Sequence, residues 1–106
     1  PPEAAAKKYK CTIIVKGPTA FVVDPNKMVE IRNGNPGLTK GGTGDVLAGL
    51  ATALYAKNEA FLAACSASYL AKAAADKLYA KVGTNYNADD LAEAIPIVFS
   101  AKNAVY

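Results

Sequence analysis

The stretch Asn33–Leu50, NGNPGLTKGGTGDVLAGL, decides how the chain is read. Its glycines Gly34, Gly37, Gly41, Gly42 and Gly44 crowd ahead of Asp45 and an apolar run with helical spacing. Glycine lets backbone approach a ligand without a Cβ in the way, and the free N–H groups of a helix start, reinforced by the helix dipole, form an anion site. The order strand, loop, GGTGD, helix therefore points to a phosphate nest. Two other glycine motifs fail on register. G-x-x-x-x-G-K-[ST] finds its glycines at Gly37 and Gly42, but Thr43 and Gly44 stand where Lys and Ser/Thr are required. G-x-G-x-x-G fails because Leu47 stands where the third glycine after Gly42 and Gly44 belongs.

Asp45 is the informative residue. In the first turn of a helix a carboxylate complements the dipole by about 0.3 to 1 kcal/mol, and that alone is a sufficient structural reason for it. Beside a phosphate nest, however, it repels the anion that the nest attracts, so it calls for a task. Phosphoryl transfer supplies one: a base accepts a hydroxyl proton while the nest holds the charge of the transferring group.

Upstream of the glycines, Glu3–Lys10 is alanine- and lysine-rich and fits the end of a helix. Three β-branched runs follow, Cys11–Lys16, Ala20–Asp24 and Met28–Arg32, separated by GPT and DPNK turn chemistry. They read as a strand followed by a hairpin. The nearly all-apolar Thr12–Val15 suits a strand covered on both faces. Downstream, Val46, Leu47, Leu50 and Leu54 recur at helical spacing. A second, alanine-rich helix is predicted from Glu59 to about Lys81, with Leu62, Cys65 and Tyr69 on one face and Gly83 ending it. Its small residues speak for close helix packing without a ligand. A third helix starts after Asn87, an N-cap with Asp90 three residues on, and is predicted to turn Leu91, Ile95, Val98 and Phe99 inward and to kink at Pro96.

Composition excludes several classes. The 106 residues suit one small domain, and 52% hydrophobic with 20% charged residues reads as globular. A net charge of +3 from scattered lysines gives no basic stripe, so no nucleic-acid partner is expected. The apolar run Val46–Ala56 is far short of the roughly 20 residues that cross a membrane, so no membrane partner is expected and the cytoplasm is the default location. Cys11 and Cys65, distant and in apolar contexts, read as buried free thiols. With no histidine in the chain, His triads and His metal sites are excluded, and the site residues imply no protein metal centre.

The string KGPTAFVVDP followed by RNGNPGLTKGGTGDVLAGL resembles the ribokinase-like kinases, and within them the ATP- or ADP-dependent NAD(P)H-hydrate dehydratases, from about residue 8 to the C-terminus. The resemblance implies an α/β fold, the C-terminal portion of a ribokinase-like domain, with a strand and β-hairpin followed by three helices. It also implies a nucleotide-dependent dehydration of hydrated NADH or NADPH, with ATP or ADP and Mg2+ as cofactors. Carried over residue by residue, the loop Lys16, Gly17, Pro18, Thr19 and Ala20 lines the adenine nucleotide. Gly42, Thr43 and Gly44 form the anion hole for its phosphates. Asp45 is the substrate-side carboxylate that takes the proton of the hydrate hydroxyl, so that this oxygen attacks the terminal phosphate.

Family members usually have well over twice this length, and the part without a counterpart here is an N-terminal Rossmann-like portion. Residues 1–106 are thus expected to be a single partial domain. Three functional classes follow: the dehydratase completed by the rest of its domain; an excised or engineered fragment that binds phosphate or nucleotide without turnover; and a self-associating fragment whose strand CTIIV pairs with another copy, since an uncovered strand is a template for association. A homo-oligomer is expected, because so few strands cannot cover their apolar faces with three helices. A ribokinase-like kinase for hydroxymethylpyrimidine or pyridoxal is the nearest enzymatic alternative, and the NGNPG lead-in speaks against it.

Overall fold

The computed structural model describes residues 1–102. The elements run α1 (Pro2–Tyr9), β1 (Ile13–Val15), β2 (Ala20–Val23), β3 (Met28–Ile31), a 3-10 turn (Pro36–Leu38), α2 (Thr43–Tyr55), α3 (Ala60–Val82) and α4 (Ala88–Lys102). The α/β reading, strands first and three helices after, is borne out.

The strands form one antiparallel sheet in the order β1–β2–β3, with Ile14 opposite Val22 and Val22 opposite Val29. Asp24 makes the β2–β3 turn by accepting from the amides of Asn26 at 2.8 Å and Lys27 at 2.9 Å. Because side chains alternate across a strand, Val22 and Val23 point to opposite faces, yet both are fully buried. Phe61 and Ala64 of α3 pack on the Ala20, Val22 and Ile31 face, while α1, anchored by the fully buried Ala6, lies against β1 and β2.

The strand β1 corrects one expectation. Its residues are half-buried, not covered on both faces, because it stands at a sheet edge with β2 as its one ladder partner among the described residues.

A second core is wholly helical. Leu70, Ala74 and Ala75 of α3 meet Leu91, Ala94, Ile95 and Val98 of α4, with Tyr86 between the helices and Val46, Leu50 and Leu54 of α2 against them. The alanines of α3 let both neighbours approach closely, so α3 is the shared wall of both cores. Leu91, fully buried, contributes about 2 to 3 kcal/mol by removal from water.

The ends of the helices follow from their sequence. Gly83, with φ 63°, ends α3 and donates to Tyr79 O at 2.9 Å. Asn87 and Asp90 cap α4 reciprocally: Asn87 Oδ1 accepts from Asp90 N at 2.8 Å and Asp90 Oδ2 accepts from Asn87 N at 3.0 Å. The helix α4 continues through Pro96 to Lys102.

Three side-chain expectations are corrected. Leu62 and Tyr69 are exposed and Cys65 is half-buried, because α3 buries its alanine-rich sides instead of that stripe. Phe99 is exposed, one step round α4 from Val98, which takes the inward place. Both cysteines are free as expected, but Cys11 lies exposed in the turn after α1.

Candidate functional site

The site is built where the chain leaves β3 and enters α2. Asn33–Leu38 wraps across α3 and closes into the 3-10 turn, capped by Asn35, whose Oδ1 accepts from Gly37 N at 2.9 Å. Thr43, buried, then donates its hydroxyl to Leu38 O at 2.7 Å and Lys40 O at 3.0 Å, which draws the glycine turn tight. Gly42 takes φ 91°, a left-handed conformation, and a Cβ there would lie 2.8 Å from Ala88 Cβ.

No side chain caps α2. The first-turn amides of Thr43, Gly44 and Asp45 have no carbonyl one turn back to receive them, and the positive end of the helix dipole lies with them, an arrangement suited to an anion.

Lys16, just after β1, reaches the start of α2 from across the cleft. Its Nζ sits on Gly44, where any side chain would collide with it. Asp45 is exposed at the third position of α2, and no hydrogen bond or ion pair engages its carboxylate among the described residues. The cleft has a volume of about 900 Å³ and is lined by the Lys16 loop, the Gly34–Asp45 segment, Arg32, Ser68 and Lys72. Asp45 is the one carboxylate of its lining; Arg32 pairs with Glu30 at 2.6 Å and Lys72 feels Asp76, which leaves Lys16 and Lys40 as the cations that favour an anion there.

The profile of the NAD(P)H-hydrate dehydratase family matches residues 2–97. The chain belongs to the NAD(P)H-hydrate dehydratase family.

Within that family it is 45% identical over 94 residues to the bifunctional NAD(P)H-hydrate repair enzyme Nnr of Archaeoglobus fulgidus, covering 89% of this chain and 20% of that protein. It is 37% identical over 97 residues to the ADP-dependent (S)-NAD(P)H-hydrate dehydratase of Cenarchaeum symbiosum, covering 91% of this chain and 34% of that one. Among solved structures, the ADP/ATP-dependent NAD(P)H-hydrate dehydratase of Bacillus subtilis, co-crystallised with ATP/Mg2+ and soaked with CoA, superposes with a TM-score of 0.87. It is 26% identical and is matched over 93% of this chain and 38% of its own. The chain thus has the ribokinase-like fold of these proteins and spans a fifth to a third of the curated relatives just described.

Of the residues that the family resemblance singles out, Lys16, Gly17, Pro18, Ala20, Gly42, Thr43, Gly44 and Asp45 line the one cleft. Thr19, half-buried, is outside its lining, and Ala20 is also part of the sheet core. Thr43 faces inward, so it offers the cleft its backbone and keeps its hydroxyl for the loop.

Sequence reasoning missed the frame behind the cleft. Asp76 accepts from Gly34 N at 2.9 Å and from Asn35 Nδ2 at 3.0 Å. The hydroxyl of Tyr86 donates to Asn35 Oδ1 at 2.7 Å, and Lys40 donates to the carbonyls of Thr84 at 2.7 Å and Tyr86. Lys72 donates to the carbonyls of Gly17, Pro18 and Asn33. The signal was Lys72 and Asp76 one turn apart, flanking the alanine run Ala73–Ala75.

Proposed function

We propose that the chain carries the nucleotide-phosphate side of an adenine-nucleotide-dependent NAD(P)H-hydrate dehydratase, and that its task is the repair of hydrated NADH or NADPH. One observation carries this reading: Lys16, the uncapped start of α2 and the unpaired Asp45 converge on one open cleft. ATP or ADP lies along Lys16, Gly17, Pro18, Thr19 and Ala20, with its phosphates on the Gly42, Thr43 and Gly44 segment. Lys16 neutralises phosphate charge there, and the amides do so without reorganising.

Asp45 accepts the proton of the hydrate hydroxyl, and that oxygen bonds to the terminal phosphorus. The shortened nucleotide, AMP from ADP or ADP from ATP, leaves with the P–O electron pair. Phosphate then departs with the C–O pair while the neighbouring ring carbon gives up a proton, and the double bond of NAD(P)H returns. No group of three or more His, Cys, Asp or Glu able to hold a metal lies among the described residues. With Asp45 the one carboxylate of the cleft, this donor set suits a Mg2+ that arrives on the nucleotide and keeps several waters. When bound, such an ion offsets phosphate charge.

The same reading makes residues 1–106 part of one larger ribokinase-like domain, working in the cytoplasm, where free thiols such as Cys11 and Cys65 persist. No helix among the described residues is long and apolar enough to cross a membrane. Self-association as a homo-oligomer has support in the exposed Met28 and Val29 on the edge strand β3.

The test is Asp45→Asn in the enzyme that contains this chain. Amide and carboxylate have nearly the same shape, so ADP affinity should hold while dehydration, followed by NADH absorbance, falls roughly 10² to 10⁴-fold, as for a lost general base. A variant that keeps its rate within about threefold while its melting temperature drops would make Asp45 a dipole-complementing residue and no more.

A further inference from the structure

Lys72 sits midway along α3 and is only 8% exposed. Its Nζ donates to Gly17 O at 2.9 Å, Pro18 O at 3.0 Å and Asn33 O at 3.1 Å. The first two carbonyls belong to the loop after β1 and the third to the loop after β3. An ammonium has three N–H groups, and here each has a carbonyl, so none is left for a ligand.

The surroundings are shaped to the lysine. Gly34 takes φ +104°, which favours glycine, and a Cβ there would press on Lys72 Cγ at 3.1 Å; Gly34 N donates in turn to Asp76, one turn further along α3. Burial pulls the Lys72 ammonium below its ordinary pKa, and the Asp76 carboxylate opposes that shift. A buried cation is a poor choice for stability alone in an alanine-rich helix, where an apolar side chain packs without desolvation.

We propose that Lys72 is a positioning residue of the nucleotide cleft. Its ammonium staples the Lys16–Ala20 loop to the Asn33–Leu38 loop, fixes the reach of Lys16 over Gly44, and thereby sets the affinity for adenine-nucleotide phosphates without touching them. The inference rests on the nucleotide reading above and goes beyond it by assigning a residue outside the glycine motif.

Calorimetric titration of the full chain with ADP, beside a thermal melt, tests it with three variants. Lys72→Met keeps the stem and removes the ammonium. The expected result is a Kd raised about tenfold with unchanged binding stoichiometry. A purely structural lysine gives the reverse: fewer competent molecules with the wild-type Kd. Lys77→Met removes the same charge from the exposed side of α3, and a Kd raised equally by it would reduce the effect to long-range charge and overturn the proposal.

If Lys72→Met loses its cooperative melt, Lys72→Arg takes its place. A planar guanidinium keeps the charge but cannot converge on three carbonyls around one nitrogen. A Kd raised at least threefold at constant stoichiometry supports the staple, and an unchanged Kd refutes it. Absence of ADP binding by the wild type would instead refute the nucleotide reading itself, so the two failures are distinct.

Discussion

Gly44→Ala separates the proposed phosphate nest from the helix that carries it. Gly44 is the second residue of α2 and is absent from the glycines with positive φ, so alanine fits its backbone. The added methyl meets Lys16 Nζ and Lys16 Cε, the far end of an exposed, flexible side chain. Lys16 therefore swings aside at little expense to the fold, while alanine is the better helix former by up to about 1 kcal/mol. The melting temperature should stay level or rise by a few degrees. Binding should move the other way. The methyl stands where a phosphate must approach the Gly44 amide, and the displaced ammonium leaves the nest. Loss of one charge-assisted contact of about 1.5 to 3 kcal/mol raises the ADP Kd roughly ten- to a hundredfold. Calorimetry with ADP and a melt of each protein measure both quantities. An ADP Kd within about twofold of wild type would place the phosphates elsewhere, and the anion nest would fall with that result.

Two further substitutions probe the frame. Gly37→Ala drives its methyl into the hydroxyl and ring of the buried Tyr86; overpacking of about 1 to 3 kcal/mol should lower the melting temperature on the order of 10 °C, and a fall under about 2 °C would mean that the loop yields freely. Tyr86→Phe removes the bond to Asn35 Oδ1, which keeps Gly37 N, and should cost about 1 kcal/mol near neutral pH. Burial pushes the Tyr86 hydroxyl above its usual 10.0, and the Asp76 carboxylate adds to the rise. The unfolded chain therefore ionises first, so the tyrosine's contribution is complete below about pH 10 and fades above it. The gap in melting temperature between wild type and Tyr86→Phe should be flat up to about pH 9 and narrow beyond pH 10, and a widening gap would reverse the assigned sign.

What could be read from the sequence was whatever short-range chemistry dictates. The Asn87–Asp90 cap, the Gly83 stop and the three β-branched runs each depend on a few neighbouring residues, and each stands as read. The convergence of KGPTA and GGTGD was legible through the family likeness, because periodicity alone does not say which loops meet. Long-range placement was not legible. The exposure of Leu62 and Tyr69 depends on how α2, α4 and the sheet divide the surface of α3, and that of Phe99 on which side of α4 meets its neighbours. Nothing near Lys72 in the sequence marks it out, since its three acceptors lie 39 to 55 residues away in the chain.

That distance also explains how the work is divided. The groups proposed to do chemistry, Lys16 and Asp45, are exposed, and neither carries a side-chain hydrogen bond that holds the fold, so either can change partners when a nucleotide arrives. The groups that hold the loops, Lys72, Asp76, Asn35 and Tyr86, are buried or half-buried and spend their hydrogen bonds on backbone or on one another. Such a frame is expensive to leave half-satisfied: a carbonyl or carboxylate stripped of its donor loses about 1 to 3 kcal/mol. The loops are thereby confined to one arrangement before any ligand is present. Preorganisation of this kind lets amides and an ammonium stabilise phosphate charge without first reordering. It follows that substitutions in the frame and substitutions at the nest should not add independently for ADP affinity, because Lys72 acts through the placement of Lys16.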